Sequence, residues 1–538
     1  MSSKARYLIG VDVGSASARA GVFDADGNLL ASAKKNIATF HASGHRVEQS
    51  GNDIWRAVCH CVRRAVTQSG IEPAAVAGIG FDATCSLVVV GEEGAPLAVS
   101  PGGEAERNII VWMDHRAAQQ ADAINATAHP VLKYVGGRIS PEMEIPKLLW
   151  LKQHHPETFS QARQFFDLTD YLTWRSTGDL ARSQCTVTCK WNYLAHENRW
   201  DADYFHTVGL PELAEASFGR IGQRIVEPGT PCGQGLSAQA AEDMGLPQHT
   251  PVAAGMIDAH AGGIGTLGVD GSPEEKLAYV FGTSSCTMTS TRTPAFVPGV
   301  WGPYYAAMVP GFWLSEGGQS AAGAAIDRLL ELHPASAQVK AQAEAEGLPL
   351  PVYLADLAMN RFDALSDAVQ CAREMHVVPE FAGNRAPLAD PYARALIYGL
   401  DMDRDLDSLI ALYIAGVCSL GYGLRQIIDA QRENGIATRD IVISGGAGQH
   451  PLVRQLIADA CGCSVLATKS EEPVLLGSAI LAAVAGGLRA SVSDAMQAMT
   501  ARECEYSPNA AYAALHRRRY QAFQLLQQTA KNIREDRY

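Results

Sequence analysis

The chain has 538 residues and a formal net charge of −13. This length exceeds what one hydrophobic core usually serves, so we expect two or more domains. The negative charge repels phosphate backbones and anionic lipids, which argues against nucleic acid or a membrane surface as a partner. Hydrophobic residues make up 47% of the chain and charged residues 19%, which excludes a disordered protein.

Cysteine usage and apolar runs indicate the compartment. Twelve cysteines are scattered without a CxxC pair, which predicts reduced thiols in a cytoplasmic protein. The first apolar run contains Asp12, so we do not expect the core of a secretory signal there. Two uncharged runs, starting at Ser408 and Pro473, are shorter than the roughly 20 residues of a membrane span and predict buried core helices.

The first elements alternate short apolar runs with polar turns. Residues 6–37 predict a β-hairpin that continues into a third strand. A helix is predicted over 50–70, with Ser50 as its N-cap and Gly70 as its stop. A strand, a polar interruption and another strand follow over 76–91. The order β-β-β-α-β differs from the regular alternation of a parallel barrel.

The same pattern returns after residue 270. Residues 276–292 again predict a strand, a turn and a strand, and 405–435 predict a long helix. A third strand with a glycine turn follows, and a helix is predicted to begin near Pro451. The recurrence suggests two related halves with a cleft between them and a boundary near residues 254–268.

Each hairpin carries glycine and small hydroxylated residues in its turn. Successive backbone N–H groups in such a turn attract anions, so 14–17 and 282–285 suit phosphate oxygens. Asp12 would oppose a phosphate unless a cation lies between them, and Mg²⁺ favours carboxylate, water and phosphate oxygens. For either turn alone, an ordinary hairpin is an equally good interpretation. The matching positions of the two turns and a third glycine turn at 445–448, which could face an adenine, make the ordinary hairpin a weaker alternative.

One motif invites a different interpretation. Residues 263–268 fit the GxGxxG dinucleotide fingerprint. That motif must follow a strand and open a helix, and an acidic residue must close the next strand. Here a turn and then a strand come next, so we reject a dinucleotide site of this kind.

Together these segments resemble the FGGY family of carbohydrate kinases over residues 6–490. Residues 12–19 resemble its first phosphate loop, with Ser15 where threonine is usual, and 282–284 resemble its second. Residues 112–116 resemble its sugar-side segment, and 254–259 resemble the segment with its catalytic aspartate.

Two segments depart from the family pattern. Residues 381–391 resemble a segment that usually contains Gly-Glu-Arg, but Asn384 replaces the glutamate, and we assign it no role. Ala447 interrupts the three glycines of the adenosine segment, although ATP remains the expected nucleotide.

The resemblance implies an α/β fold of the actin-like ATPase type. Two related RNase H-like domains, residues 1–268 and 269–538, would enclose a nucleotide cleft. It further implies phosphoryl transfer from ATP, with Mg²⁺, to the terminal hydroxyl of a ketose. The sugar and ATP are the expected small-molecule partners, and because actin-like sugar kinases often pair through their faces, a homodimer is a further expectation.

The resemblance also assigns roles at the nucleotide end. Asp258 is the expected base, with an ordinary carboxylate pKa of about 4 maintained by a helix N-terminus; an N-cap without chemistry is the alternative. Asp12 is assigned to Mg²⁺, and Arg19 either to a phosphate or to a structural ion pair. The residues expected to bind the nucleotide are Gly14, Ser15, Ser17, Arg19, Gly282, Thr283, Ser284, Gly445, Gly446 and Ala447.

At the sugar end, Lys190 and Glu316 resemble the sugar-hydroxyl contacts of ribulokinases, and 84–88 resemble the signature of D-ribulokinases. The alternative for Lys190 and Glu316 is a surface ion pair, and the alternative for 84–88 is a buried strand end. The expected sugar contacts are Cys85, Trp112, Asp114, Lys190, Asp258 and Glu316.

D-ribulose is therefore the expected substrate, with L-ribulose, D-xylulose and ribitol as alternatives. A non-catalytic sugar or nucleotide sensor on the same scaffold is a third possibility. Asp12 and Asp258 argue against it, because a sensor needs neither a metal nor a base.

Overall fold

The computed structural model describes residues 6–43, 46–372 and 374–537. The strands are Tyr7–Val13 (β1), Ser17–Phe23 (β2), Leu29–Asn36 (β3), Phe40–Ala42 (β4), Arg46–Gln49 (β5), Val76–Ala83 (β6), Leu87–Val90 (β7), Ile109–Ile110 (β8), Gln164–Asp167 (β9), Arg182–Ser183 (β10), Ile225–Val226 (β11), Met256–Ile257 (β12), Lys276–Phe281 (β13), Ser285–Thr291 (β14), Trp301–Tyr305 (β15), Trp313–Gln319 (β16), His376–Val378 (β17), Leu396–Tyr398 (β18), Asp440–Ser444 (β19), Ser464–Thr468 (β20) and Arg502–Tyr506 (β21). The helices are Gly51–Ser69 (α1), Ala118–Ala126 (α2), Glu144–His154 (α3), Pro156–Gln161 (α4), Leu168–Thr177 (α5), Gln184–Lys190 (α6), Ala202–Thr207 (α7), Pro211–Glu215 (α8), Ala238–Met244 (α9), Asp258–Leu267 (α10), Gly323–Glu331 (α11), Ser336–Ala345 (α12), Leu350–Met359 (α13), Leu406–Glu433 (α14), Pro451–Cys461 (α15), Pro473–Ala485 (α16), Val492–Met499 (α17) and Ala513–Arg534 (α18).

The first half is built on a five-stranded sheet in the order β12-β6-β1-β2-β3. Strand β2 is antiparallel to both β1 and β3, whereas β6 runs parallel to both β1 and β12. Helix α1 packs on β2 and β3. Its predicted ends are confirmed: the side chain of Ser50 accepts from the N–H of Asp53, and Gly70 is a left-handed C-cap.

The second half repeats this plan in a seven-stranded sheet of order β15-β16-β14-β13-β19-β20-β21. Strands β13, β14 and β16 form the antiparallel part, and β19 and β20 continue it in parallel from β13. They correspond in order and direction to β1, β2, β3, β6 and β12, and β15 and β21 are added at the edges. The predicted recurrence of the hairpin is therefore confirmed.

Two helices join the halves, because each of them packs on the sheet of the other half. Helix α16, from the second half of the chain, lies on β1 and β6 of the first sheet, while α10 contacts β13 and β19 of the second. The two helices also pack against each other. Leu8, Ile264 and Ala479 accordingly belong to one hydrophobic core that spans residue 268, whereas two further cores each lie wholly on one side of it.

Glycines make this helix crossing possible. A Cβ on Gly265 would overlap the carbonyl oxygen of Pro473, and one on Gly477 would overlap that of Ala261. The backbones of α10 and α16 therefore touch directly. Residues 263–268, the rejected dinucleotide motif, thus lie at the end of α10 and serve helix packing.

We expect Gly265→Ala to destabilise the protein by at least about 3 kcal/mol, the upper end of the usual cost of overpacking, because the new methyl group meets backbone. Gly262→Ala in the same helix is the matched control, since its Cβ would lie 3.3 Å from a side-chain methyl of Val474. Chemical denaturation measures both free energies of unfolding. Equal stability of the two variants would contradict the proposed backbone contact.

The long apolar helices are core helices. Helix α14 is long and apolar enough to cross a membrane by length and composition, but 83% of its most apolar window is buried inside the protein. Helix α16 is also almost entirely buried. All twelve cysteines lie in the described residues and none forms a disulfide, as the predicted reduced state requires.

Candidate active site

A cleft with a volume of about 360 Å³ lies between the two halves. It brings together Asp12 near the end of β1, Thr283 in the turn between β13 and β14, and Asp258 at the start of α10. These residues are separated by up to 271 positions in sequence, 283 − 12. The sequence motifs therefore converge on one crevice.

In both predicted phosphate turns the glycine N–H donates to a backbone carbonyl further along the turn, three positions on in the first turn and two positions on in the second. The N–H of Gly14 donates to the carbonyl of Ser17 at 3.0 Å, and the N–H of Gly282 donates to that of Ser284 at 3.0 Å. Gly14, Ser15, Gly282, Thr283 and Ser284 all line the cleft. Ser17 is not among the described residues that line the cleft. It begins β2, and its backbone carbonyl closes the first turn.

Arg19 joins the two halves through an ion pair. Its Nε donates to Oδ2 of Asp12 at 2.8 Å, and its Nη1 donates to Oε2 of Glu472 at 2.6 Å. Burial lowers the pKa of Arg19, but Asp12 and Glu472 outweigh this and raise it. Of the two roles expected for Arg19, the structure supports the structural ion pair. Arg19 also lines the cleft.

A carboxyl group that the sequence interpretation missed lies beside Asp12. Asp82 on β6 is opposite Asp12 in parallel register and is fully buried. Burial and the charge of Asp12 raise its pKa well above the usual value, and the hydroxyl of Ser478 donates to it at 2.5 Å. Asp82 itself does not line the cleft, whereas the carboxyl groups of Asp12 and Asp258 do and offer the hard oxygen donors that Mg²⁺ prefers. The sequence signal that could have identified Asp82 is an acidic residue near the end of an otherwise apolar strand.

Asp258 is the first residue of α10, as predicted, but its electrostatics differ from the expectation. Ile257 is the N-cap, and the Asp258 side chain accepts from the N–H of Ala259 at 2.7 Å. Burial and then the charge of Asp12 raise the pKa of Asp258 to about 6. The expected pKa of about 4 is therefore wrong, because desolvation exceeds the effect of the helix N-terminus.

Charged side chains from both halves also meet in this cleft. Lys190 ends α6 and Glu316 lies on β16, and each is 5% exposed, which rules out a surface ion pair. Burial alone would raise the pKa of Glu316, but Lys190 and His260 lower it to about 2. Cys85 lines the same wall. This arrangement can hold a polyhydroxylated ligand by charged hydrogen bonds.

The two residues expected in the sugar-side segment have different surroundings. Trp112 lines the cleft, and its Nε1 donates to the hydroxyl of Ser15 at 2.9 Å. Asp114 is 0% exposed, and its oxygens accept from the N–H of Val47 and from Arg116. The expected sugar contact at Asp114 is corrected: it forms a structural ion pair beneath the wall.

Several polar or aromatic residues of the wall were not predicted. Glu142, Trp301 and Arg385 line the cleft, and the Nζ of Lys190 lies 5.2 Å from the ring centroid of Trp301. Arg385 directly follows Asn384, whose amide group donates to Glu380 at 2.7 Å and shapes the loop. No sequence spacing links these positions; only the tertiary fold brings them together.

His260 connects α10, the helix that begins with Asp258, to Glu316. Its Nε2 lies 3.2 Å from Oε2 of Glu316, and its Nδ1 lies 3.2 Å from Sγ of Cys185. Burial would lower the pKa of His260, but Cys185 and Glu316 raise it to about 10. The imidazole therefore orients the Glu316 carboxylate towards the cleft. A histidine two positions after Asp258 was the only sequence signal.

The third glycine turn borders a separate cavity of about 450 Å³. Gly446 and Ala447 line it with apolar residues that include Ile326 and Tyr413, and Gly445 lines an adjacent cavity that reaches Glu472. This apolar pocket has the size and lining that suit a planar heterocycle. It lies on the second half, next to the turn that contains Thr283, since its wall includes Phe281 and Gly323.

Comparisons with known proteins agree with this architecture. The crystal structure of gluconate kinase from Lactobacillus acidophilus matches with a TM-score of 0.80 at 22% identity, covering 97% of this chain and 98% of that one. The glycerol kinase of Plasmodium falciparum, solved with ADP, matches with a TM-score of 0.77 at 15% identity, covering 96% and 97%. The expected actin-like α/β fold is thereby confirmed.

Sequence comparisons identify the family. An FGGY carbohydrate kinase domain-containing protein of Danio rerio is 43% identical over 98% of both chains. The D-ribulokinase of Saccharomyces cerevisiae is 37% identical over 90% of this chain and 72% of its own length. Models of the N-terminal and C-terminal domains of the FGGY family of carbohydrate kinases match residues 7–265 and 277–486. The chain therefore belongs to this family and is a sugar kinase.

Proposed function

We propose that this sugar kinase transfers the terminal phosphoryl group of ATP to the terminal hydroxyl of a pentulose, D-ribulose. The observation that carries the proposal is that one cleft collects both sets of groups that the reaction needs. The two glycine turns and Asp12 line it together with Asp258 and with the charged side chains of Lys190 and Glu316. The choice of D-ribulose is supported by the similarity to the yeast D-ribulokinase and by the resemblance of residues 84–88 to the D-ribulokinase signature.

In the proposed mechanism, Asp258 accepts the proton of the attacking hydroxyl as the new P–O bond forms and the bond from the γ-phosphorus to the bridging oxygen of ATP breaks, so that ADP leaves. Lys190 and Glu316 orient the sugar so that this hydroxyl points to the phosphate turns, whose N–H groups bind phosphate oxygens. Bound Mg²⁺ supplies charge neutralisation for the phosphoryl group, and Asp12 is the residue that would hold it. Phosphoryl transfer needs this alignment and neutralisation more than covalent assistance.

The substrate proposal is tested by measuring sugar-dependent ADP release over pentuloses and pentitols. We expect the highest kcat/KM for D-ribulose. A higher value for L-ribulose, D-xylulose or ribitol would replace the proposed substrate. ATP binding without ADP release for any sugar would instead favour a sensor.

The raised pKa of Asp258 predicts a specific pH dependence. A base must be deprotonated to accept a proton, so kcat/KM for the sugar should fall as pH drops through about 6, the pKa of Asp258 in the free enzyme. Well below that value the decline should reach tenfold per pH unit, provided that the folded state is intact by circular dichroism. A midpoint near 4 would contradict the desolvated environment of Asp258.

The apolar cavity at the third glycine turn is proposed to receive the adenosine. A Cβ at Gly446 would meet no other atom within 4 Å, and the residue does not have a positive φ. Because Gly446 lines the cavity, we expect a side chain at this position to occupy it without backbone strain. We expect Gly446→Leu to raise KM for ATP about tenfold, the effect of losing roughly 1.4 kcal/mol of binding, with KM for the sugar unchanged. Gly446→Ala is the matched control, and equal KM values for ATP in both variants would place the adenosine elsewhere.

A further inference from the structure

Three buried side chains of metal-ligand type lie next to Lys190 and Glu316. Cys185 and Cys189 are one helical turn apart on α6, and His260 is in the first turn of α10. One ligand atom from each residue lies within 4.8 Å of the other two. We propose that Cys185, Cys189 and His260 bind a thiophilic divalent cation, Zn²⁺, which links the helix of Lys190 to the helix of Asp258.

The spacing of the donor atoms fits such an ion. Sγ of Cys185 and Nδ1 of His260 are 3.2 Å apart. Tetrahedral Zn²⁺, with bonds of about 2.3 Å to sulfur and about 2.0–2.1 Å to nitrogen, places these atoms about 3.6 Å apart and two sulfurs about 3.8 Å apart. Binding therefore lengthens the distance between Cys185 and His260 by about 0.4 Å and replaces their hydrogen bond. Because the other two donor pairs are at most 4.8 Å apart, a change of about 1 Å or less in each brings them to the zinc geometry.

The surroundings of the three ligands also match those of zinc sites. A metal-ligating histidine usually donates its other ring N–H to a carboxylate, which fixes the tautomer. Here Nε2 of His260 lies 3.2 Å from Glu316, so Nδ1 is free to face the sulfur atoms when a metal replaces its proton. The N–H of Ile257 also donates to Sγ of Cys185 at 3.5 Å, which stabilises a thiolate.

Sulfur ligands separate this site from the expected Mg²⁺ position. Thiolates select Zn²⁺ and similar soft ions, whereas Mg²⁺ prefers oxygen ligands such as Asp12. Two thiolates also balance the charge of Zn²⁺, so the Nε2–H of His260 keeps its contact with Glu316 when the ion is bound. The proposed site lies next to the cleft wall, because Ile257, whose N–H contacts Cys185, lines the cleft. The site does not depend on which sugar the enzyme uses.

The test uses the full-length protein stripped of metal and titrated with Co²⁺ in excess Mg²⁺. We expect about one Co²⁺ per chain, a thiolate-to-cobalt charge-transfer band, tetrahedral d–d bands, and loss of all these bands on adding Zn²⁺. Elemental analysis of protein from zinc-supplemented cultures should give about one Zn²⁺ per chain. Absence of the charge-transfer band in the wild-type protein overturns the proposal, whatever happens to the variants.

The ligands are assigned with serine variants. Cys185→Ser and Cys189→Ser should each weaken Co²⁺ binding by about tenfold or more. Cys418→Ser, which alters an equally buried cysteine in α14, is the matched control and should bind as the wild type does. Unchanged affinity in a folded Cys185→Ser, Cys189→Ser double variant also overturns the proposal.

Discussion

Asp258→Asn is expected to lower kcat by about 10²–10⁴-fold, the usual contribution of a general base. The amide keeps the size of the side chain but cannot accept the hydroxyl proton. Binding of ATP should be unchanged, because Asp258 is not part of either phosphate turn. Steady-state kinetics and calorimetric titration with ATP measure the two effects separately.

Asp203→Asn is the matched control for this variant. Asp203 is also in the first turn of a helix, but its side chain is 86% exposed. We expect this variant to retain wild-type kcat. Normal turnover in a folded Asp258→Asn enzyme would end the assignment of the base.

The second large effect is expected at Lys190 and Glu316, two buried groups of opposite charge that influence the pKa of each other. Removing one of two opposite buried charges costs about 2–5 kcal/mol, because the other charge stays desolvated. Lys190→Met and Glu316→Gln should therefore each lower kcat/KM for the sugar by about 10²–10³-fold and leave KM for ATP unchanged. Lys35→Met, at an exposed position of β3, is the control.

The double variant tests whether the two side chains act together. Each influences the pKa of the other, so the combined loss should be smaller than the product of the single losses. Fully multiplicative effects would show that Lys190 and Glu316 contribute independently. A large change in KM for ATP would place them at the wrong end of the cleft.

The parts of the site that the sequence predicted are those with local patterns. The turns at 14–17 and 282–285 are defined by neighbouring residues, so glycine and hydroxyl spacing sufficed to find them. The capped helix after Ser50 was predictable for the same reason. Asp258 was identified through a resemblance over a short segment, which also fixed its place at a helix start.

The parts that could not be predicted depend on distant contacts. His260 acts through Cys185 and Glu316, which lie 75 and 56 positions away. The pKa of Asp258 is set by burial and by Asp12, neither of which is visible in a local pattern. Asp114 was misassigned because resemblance of a segment does not specify which way a side chain points.

The direct contact of α10 and α16 limits how the two lobes can move. Backbones that touch at Gly265 and Gly477 cannot slide past each other, so a relative motion must turn about that point as a pivot. Asp258 lies seven residues from Gly265, a lever arm of about 10 Å along the helix. A rotation of roughly 10° would then carry the carboxylate by about 2 Å, the difference between a hydrogen bond and none.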